Sequence, residues 1–418
     1  MKIQDYLTRD WILLAVAWIV RLLFLALYPR YDLLQDRTYM ADAQDFHLKA
    51  LLYLGKEVED SPALAQVAPV YPAFIAGIYL FLGESYVAIR CAQCLLGALT
   101  CVLVRRIGAH LWGKQTGFLA GYALAFYYPH LQLSGYVATE TLYTFLLCLA
   151  ALPLSGLPKG DFLLRWIVGT SLWTVSIAVR PVSIAFLPAL GTSLLYALWR
   201  KNLSPKILTI ATICLSGSSL LWLASVFATS GRTVPMVIQM GQLLYEGNSE
   251  HATGGHGGHF TWDDFVLPSD IGPIGSIDAD RRLFALAIEY MKQHPGHCML
   301  LAMKKTWNMW RPYHFDVTPA AKWIHTCSYL ALWLGALHVL ARRRLPLFSR
   351  IFCVLPLLLA ATLHAVLIGQ IRYRYPLDPF LLLLAAPAGW TFLQSLPRFQ
   401  GKTPPLQDEG GVDRQGSP

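Results

Sequence analysis

Charge is scarce in this chain. Asp, Glu, Lys and Arg make up only 14% of its 418 residues, against 55% hydrophobic, and that balance excludes a soluble domain of this length. No glycine-rich phosphate loop of the nucleotide-binding kind is present, and no internal repeat. The eight cysteines do not form a disulfide framework. Cys91, Cys94, Cys101, Cys148, Cys214 and Cys353 fall inside apolar runs, Cys327 begins another, and Cys298 lies in a loop between such runs. Cys91-x-x-Cys94 within an apolar helix reads as packing rather than redox chemistry. The first apolar run is too long for a cleavable signal peptide and has no small-residue cleavage site before Tyr28-Pro29-Arg30.

Long apolar runs dominate what remains. A membrane span takes about 20 mostly apolar residues. Ten segments qualify: 11–29, 86–104, 116–134, 138–155, 164–180, 182–199, 207–228, 320–341, 351–370 and 376–396. The expected fold is therefore an all-α polytopic membrane protein. Residues 1–396 form one transmembrane domain with outer loops 30–85 and 229–319, and 397–418 form a disordered cytoplasmic tail. Val70–Gly83 is apolar but short and contains Pro72 and Gly77, so it reads as a helix at the interface.

With the N-terminus inside, the inner segments and tails carry 17 basic and 6 acidic residues, among them Arg105, Arg106, Arg200, Lys201 and Arg342–Arg344. The outer segments carry 16 basic and 19 acidic residues, and Arg21 lies within the first span. This is the asymmetry of the positive-inside rule. Counting 70–83 as a span reverses it. The net charge of +9 thus reflects topology and calls for no nucleic-acid partner. The expected location is a plasma membrane, with the ionisable face toward the exterior.

Ionisable groups gather at that outer face. Asp42-Ala43-Gln44-Asp45-Phe46-His47-Leu48-Lys49-Ala50 follows the first span. If 39–55 is helical, Phe46, Ala50, Tyr53 and Leu54 share one face; Asp42 lies at its edge and Asp45 turns with Lys49 and Lys56 to the polar side. A carboxylate beside an apolar stripe is the better working acid, whereas Asp45 suits an i,i+4 pair with Lys49. Taken alone, the segment equally fits a solvated surface helix. Glu140 lies at the outer end of the fourth span, where an ionisable residue costs about 2.5–3.5 kcal/mol to insert and marks a functional position by default. Arg180-Pro181 joins spans five and six, and Arg372-Tyr373-Arg374-Tyr375-Pro376 opens the last span. Each arginine alone could be a snorkelling headgroup anchor; two acids and three arginines at one level are harder to dismiss.

This set suits one chemistry. A sugar on polyprenyl phosphate already carries its leaving group, so the acceptor needs only a carboxylate base. The departing phosphate needs fixed cations, for which arginine forks are well shaped. The missing nucleotide loop fits a lipid-linked donor.

The residues also resemble a known family. Asp42-x-x-x-Phe46-x-x-x-Ala50, followed by Ala68-Pro69-Val70-Tyr71-Pro72-Ala73-Phe74, is similar to the Asp-x-x-x-Tyr-x-x-x-Ala and Pro-x-Tyr-Pro signatures of GT-C glycosyltransferases. The likeness is to glycosyltransferase family 39, whose relatives include dolichyl-phosphate-mannose protein mannosyltransferases and aminoarabinose transferases. Arg90-x-x-Gln93-x-x-x-Gly97, Thr139-Glu140, Arg180-Pro181 and Arg372-Tyr373-Arg374-Tyr375-Pro376 fit the same pattern. The resemblance spans about residues 10–395. It implies inverting transfer with Asp42 as the catalytic carboxylate and Glu140 assisting near the acceptor. Arg180, Arg372, Arg374 and Tyr71 are the expected substrate-binding residues, with Asn248 contacting the acceptor from the loop at 229–319. Phe46 stands where the family has Tyr, so any hydroxyl role is lost there.

The expected partners are a polyprenyl-phosphate sugar donor, a lipid, protein or glycan acceptor, and membrane lipids. No cofactor is expected. His251, His256 and His259 lie in a Gly-rich stretch without defined ligand spacing, so no essential metal is expected either. Two other readings compete. An O-antigen ligase or polymerase also uses a large late outer loop with Arg and His but does not need Asp42. A transporter or flippase predicts charged or broken helices near the midplane and repeat symmetry, whereas here the only mid-span charge is Arg21.

Overall fold

The computed structural model describes residues 3–27, 37–58, 67–157, 162–192, 195, 240–254, 271–272, 276–313, 319–342 and 345–396. Among them every regular element is helical. Among the described residues five helices are long and apolar enough to cross a membrane: Asp10–Leu27, Tyr86–Trp112, Pro319–Ala341, Leu347–Val366 and Ile371–Ser395. Val70–Leu82, Thr139–Ser155, Leu163–Val179 and Pro181–Thr192 are shorter apolar helices. The protein is an all-α, multi-pass membrane protein. The expected span at 207–228 and the tail at 397–418 lie outside the described residues.

In chain order the helices used below are α1 (Ile3–Leu27), α2 (Arg37–Tyr53), α3 (Val70–Leu82), α4 (Tyr86–Trp112), α5 (Lys114–Ala125), α6 (Tyr128–Gly135), α7 (Thr139–Ser155) and α8 (Phe162–Val179). After these come α9 (Met240–Gly247), α10 (Ile277–Gln293), α11 (Pro295–Trp310), α12 (Pro319–Ala341), α13 (Leu347–Val366), α14 (Ile371–Arg374) and α15 (Asp378–Ser395).

The continuous span expected at 116–134 is broken. α5 stops at Ala125, and α6 starts at Tyr128 with Pro129 in its first turn. Proline lacks the N–H that a continuous helix needs and restricts the residue before it, so the break falls just ahead of it. It serves the packing. The Tyr127 hydroxyl donates to Asp378 (3.2 Å), and the His130 ring nitrogen meets the Tyr375 carbonyl (2.9 Å), tying the break to the α14–α15 junction.

Small residues set the crossing of α4 and α5. A Cβ on Gly117 would meet the Arg105 carbonyl at 2.4 Å, so only glycine allows this approach. At the same end of α4, Asp10 of α1 pairs with Arg105 and with Arg106 (2.9 Å). Arg21 is 1% exposed. It donates to the Ala17 carbonyl (3.0 Å) and the Cys101 sulfur (3.4 Å), in space left by the absent side chain of Gly97.

A candidate active site of two carboxylates and two arginines

α2 is anchored by Ala43, Phe46 and Ala50, all buried, whereas Tyr53 is 47% exposed. The apolar face expected from periodicity is therefore rotated, with Ala43 in it and Tyr53 out. Phe46 meets Tyr71 edge-on, with ring centroids 4.8 Å apart. Tyr71 is fully buried, and its hydroxyl donates to Gln93 Oε1 (2.7 Å). Gln93 Nε2 in turn donates to the carbonyls of Ser134 (3.3 Å) and Tyr136 (2.5 Å). A run of side chains thus ties α2, α3 and α4 to the turn that leads into α7. Glu140 is the second residue of α7.

Glu140 is 1% exposed, in the first turn of α7. Its Oε1 accepts from Arg180 NH1 (2.6 Å) and from Arg372 Nε (3.0 Å). Arg372 NH2 reaches Asp42 Oδ2 at 2.6 Å. The result is an alternating chain, Asp42–Arg372–Glu140–Arg180, built from four separate parts of the sequence. Exposure rises along it, from 2% for the Glu140 side chain to 21% for Arg372 and 41% for Asp42. Glu140 itself is sealed, Arg180 beyond it is 16% exposed, and the cluster is most open at Asp42. Tyr373 supports both arginines, with its ring 5.2 Å from the Arg180 guanidinium and 5.7 Å from that of Arg372. His364 stacks on Tyr373 (4.8 Å) and is fixed by the Ile368 carbonyl (2.9 Å).

Asp45 and Lys49 do not form the expected pair. Lys49 Nζ donates to the Val67 carbonyl (2.5 Å). Partial burial, with the charge of Asp42 adding to it, raises the Asp45 carboxyl to about 6.

The remaining expected site residues lie elsewhere. Tyr71 is inside the core, bonded to Gln93. Arg374 is fully buried, with Nε 3.2 Å from Asp378, NH1 on the Arg311 carbonyl (2.6 Å) and its guanidinium 3.8 Å from the Tyr329 ring centre. Asn248 is 1% exposed. Its amide nitrogen donates to the Leu244 and Val366 carbonyls (2.9 and 2.8 Å), and its oxygen accepts from Lys305 (2.9 Å). Lys305 also donates to Val366 (2.9 Å), and burial lowers its ammonium to about 8. Asn248 therefore holds α9 and α11 against the end of α13. No group of three His, Cys, Asp or Glu suited to a metal occurs among the described residues, and His256 and His259 lie outside them.

Gln93, Tyr373 and Lys305 are the structural partners that residue-level reading left without a role. For Gln93 and Tyr373 the signal was present, since both lie within the motifs Arg90-x-x-Gln93-x-x-x-Gly97 and Arg372-Tyr373-Arg374. Lys305 sits in an amphipathic helix and gave no such sign.

Residues 66–222 match the model of the dolichyl-phosphate-mannose-protein mannosyltransferase family. Among solved structures, the chain aligns with ArnT from Cupriavidus metallidurans bound to undecaprenyl phosphate. The identity is 13%, the alignment covers 92% of this chain and 77% of that one, and the TM-score is 0.40. No curated protein matches.

Proposed function

We propose that the protein transfers a sugar from a polyprenyl-phosphate donor to a lipid, protein or glycan acceptor at the outer membrane face, with inversion at the anomeric carbon. The observation that carries this is the Asp42–Arg372–Glu140–Arg180 chain, in which a half-exposed carboxylate, Asp42, pairs with a guanidinium that a buried carboxylate, Glu140, shares with a second. Asp42 takes the acceptor proton as the acceptor oxygen or nitrogen attacks the anomeric carbon. Arg372 and Arg180 receive the negative charge that builds on the departing phosphate. Glu140, sealed between the two arginines, holds both forks in place. Beside Arg180 and Tyr373 a small cleft is lined by Val182, Phe186 and Leu363 together with His364. The family match at 66–222 supports the same reading.

Purified full-length protein is to be supplied with polyprenyl-phosphate sugars and an envelope lipid and glycan extract, and transfer followed by mass spectrometry. Asp42→Asn keeps size and hydrogen bonding but removes the base, so turnover should fall about 10²–10⁴-fold. Glu140→Gln should impair transfer less. A fully active Asp42→Asn protein rules out Asp42 as the base.

A further inference from the structure

Arg372 donates to two carboxylates, from Nε to Glu140 and from NH2 to Asp42. The two carboxylates are not held alike. Glu140 is shared with Arg180 and sealed at 2% side-chain exposure, whereas Asp42 pairs among the described residues with Arg372 alone and is 41% exposed. An anion seeking a contact with Arg372 meets the Asp42 edge first and has one half-exposed ion pair to break. We propose that Asp42 is the resting occupant of the donor's phosphate site. The phosphodiester displaces its carboxylate from Arg372, and that release frees Asp42 to act as base. This rests on the lipid-phosphate reading above.

The charges balance at each stage. Asp42 and Glu140 against Arg180 and Arg372 sum to zero. A phosphodiester brings one negative charge and replaces one carboxylate on Arg372, so the number of ion pairs is conserved and Asp42 is left ionised and unpaired. α2 remains anchored by Ala43, Phe46 and Ala50, so rotation of the Asp42 side chain suffices. In the transfer, the bond from the anomeric carbon to the phosphate oxygen breaks and its electron pair stays on the phosphate. The bond from the acceptor atom to the anomeric carbon forms, and the acceptor proton passes to Asp42. When Asp42 loses that proton to water, its carboxylate reclaims Arg372 and helps expel the phosphate product. The pair that closes the empty site also clears it.

The test measures binding of farnesyl phosphate, and separately of inorganic phosphate, to the full-length protein in nanodiscs at pH 8. Asp42→Asn should tighten farnesyl phosphate about two- to fivefold, the affinity equivalent of one half-exposed ion pair. Asp45→Asn removes a charge one turn along the same helix without touching Arg372 and should leave binding unchanged. The gain should vanish in Asp42→Asn/Arg372→Ala. Equal tightening by Asp45→Asn, or none by Asp42→Asn while the wild type binds, overturns the exchange. Inorganic phosphate that binds as tightly as farnesyl phosphate leaves the exchange standing and removes the lipid. Absence of binding by every variant to either ligand overturns both.

Discussion

Arg372 and Arg374 stand two residues apart, and each faces a carboxylate, yet they occupy opposite kinds of environment. Arg372 joins Asp42 and Glu140, which lie far away in the sequence, and keeps 21% of its side chain open. Arg374 pairs with Asp378 one turn along, at 0% and 1% side-chain exposure, with Tyr127 also donating to Asp378. Side chains two apart on a helical turn point about 200° from each other, so one faces the cluster and the other the interior. A buried pair with local partners stabilises the junction of α14 and α15. An open pair spanning distant elements can exchange partners. What separates a structural arginine from a working one here is access and the reach of its contacts, since the chemistry of the two pairs is the same.

Removing each arginine should break that comparison apart. Arg374→Ala leaves Asp378 buried without its cation, which costs about 3–5 kcal/mol for a buried pair. The expected outcome is a large fall in thermal stability and in the yield of monodisperse protein in detergent. Arg372→Ala leaves Glu140 still paired with Arg180, so stability should change little while donor use falls. Apparent donor affinity and melting temperature, measured on both variants, separate the roles. Equal loss of donor affinity in a well-folded Arg374→Ala protein would return Arg374 to the phosphate site.

A smaller effect is expected from the scaffold of the open cluster. Tyr71→Phe removes the hydroxyl that donates to Gln93 Oε1 and leaves that oxygen unsatisfied in the core. Lost hydrogen bonds of this kind cost about 1–3 kcal/mol. Because Gln93 holds the turn before Glu140, turnover should drop along with stability, and donor affinity should change less. Loss of donor affinity alone, with stability unchanged, would make Tyr71 a direct binding residue.

The members of the open cluster were legible one by one, because acids and arginines at the ends of apolar runs are costly and stand out. Their contacts were not legible, since Asp42 and Arg372 lie far apart in the sequence and no pattern in a single chain links them. Arg374 was grouped with Arg372 by proximity, although the helical angle already argued against it. From the sequence, Asn248 takes an acceptor contact because it lies in the loop at 229–319. Yet Gly247 is there because a Cβ would meet the Leu367 carbonyl at 1.9 Å, a close approach that buries Asn248. The break at Ala125 had its signal in Pro129, which the length of the apolar run outweighed. The helical class and short α3 followed from hydropathy and charge placement, because both are set locally.

The smallest expected effect sharpens the contrast within α2 itself. Asp42 has a guanidinium partner and Asp45 has none; burial, with the charge of Asp42, raises the Asp45 carboxyl from 3.8 to about 6. The sign follows from linkage. Between those two values the unfolded chain gives up the Asp45 proton while the folded protein retains it. The folded state therefore binds more protons in that window, and the stability Asp45 contributes falls as pH rises from about 4 to 6. Asp45→Asn has no proton to lose, so its melting temperature should decline less than that of the wild type between pH 4 and 6 and should equal or exceed it at pH 7. Transfer activity of this variant at pH 7 should be close to that of the wild type. A dead but well-folded Asp45→Asn protein beside an active Asp42→Asn one would move the base from Asp42 to Asp45.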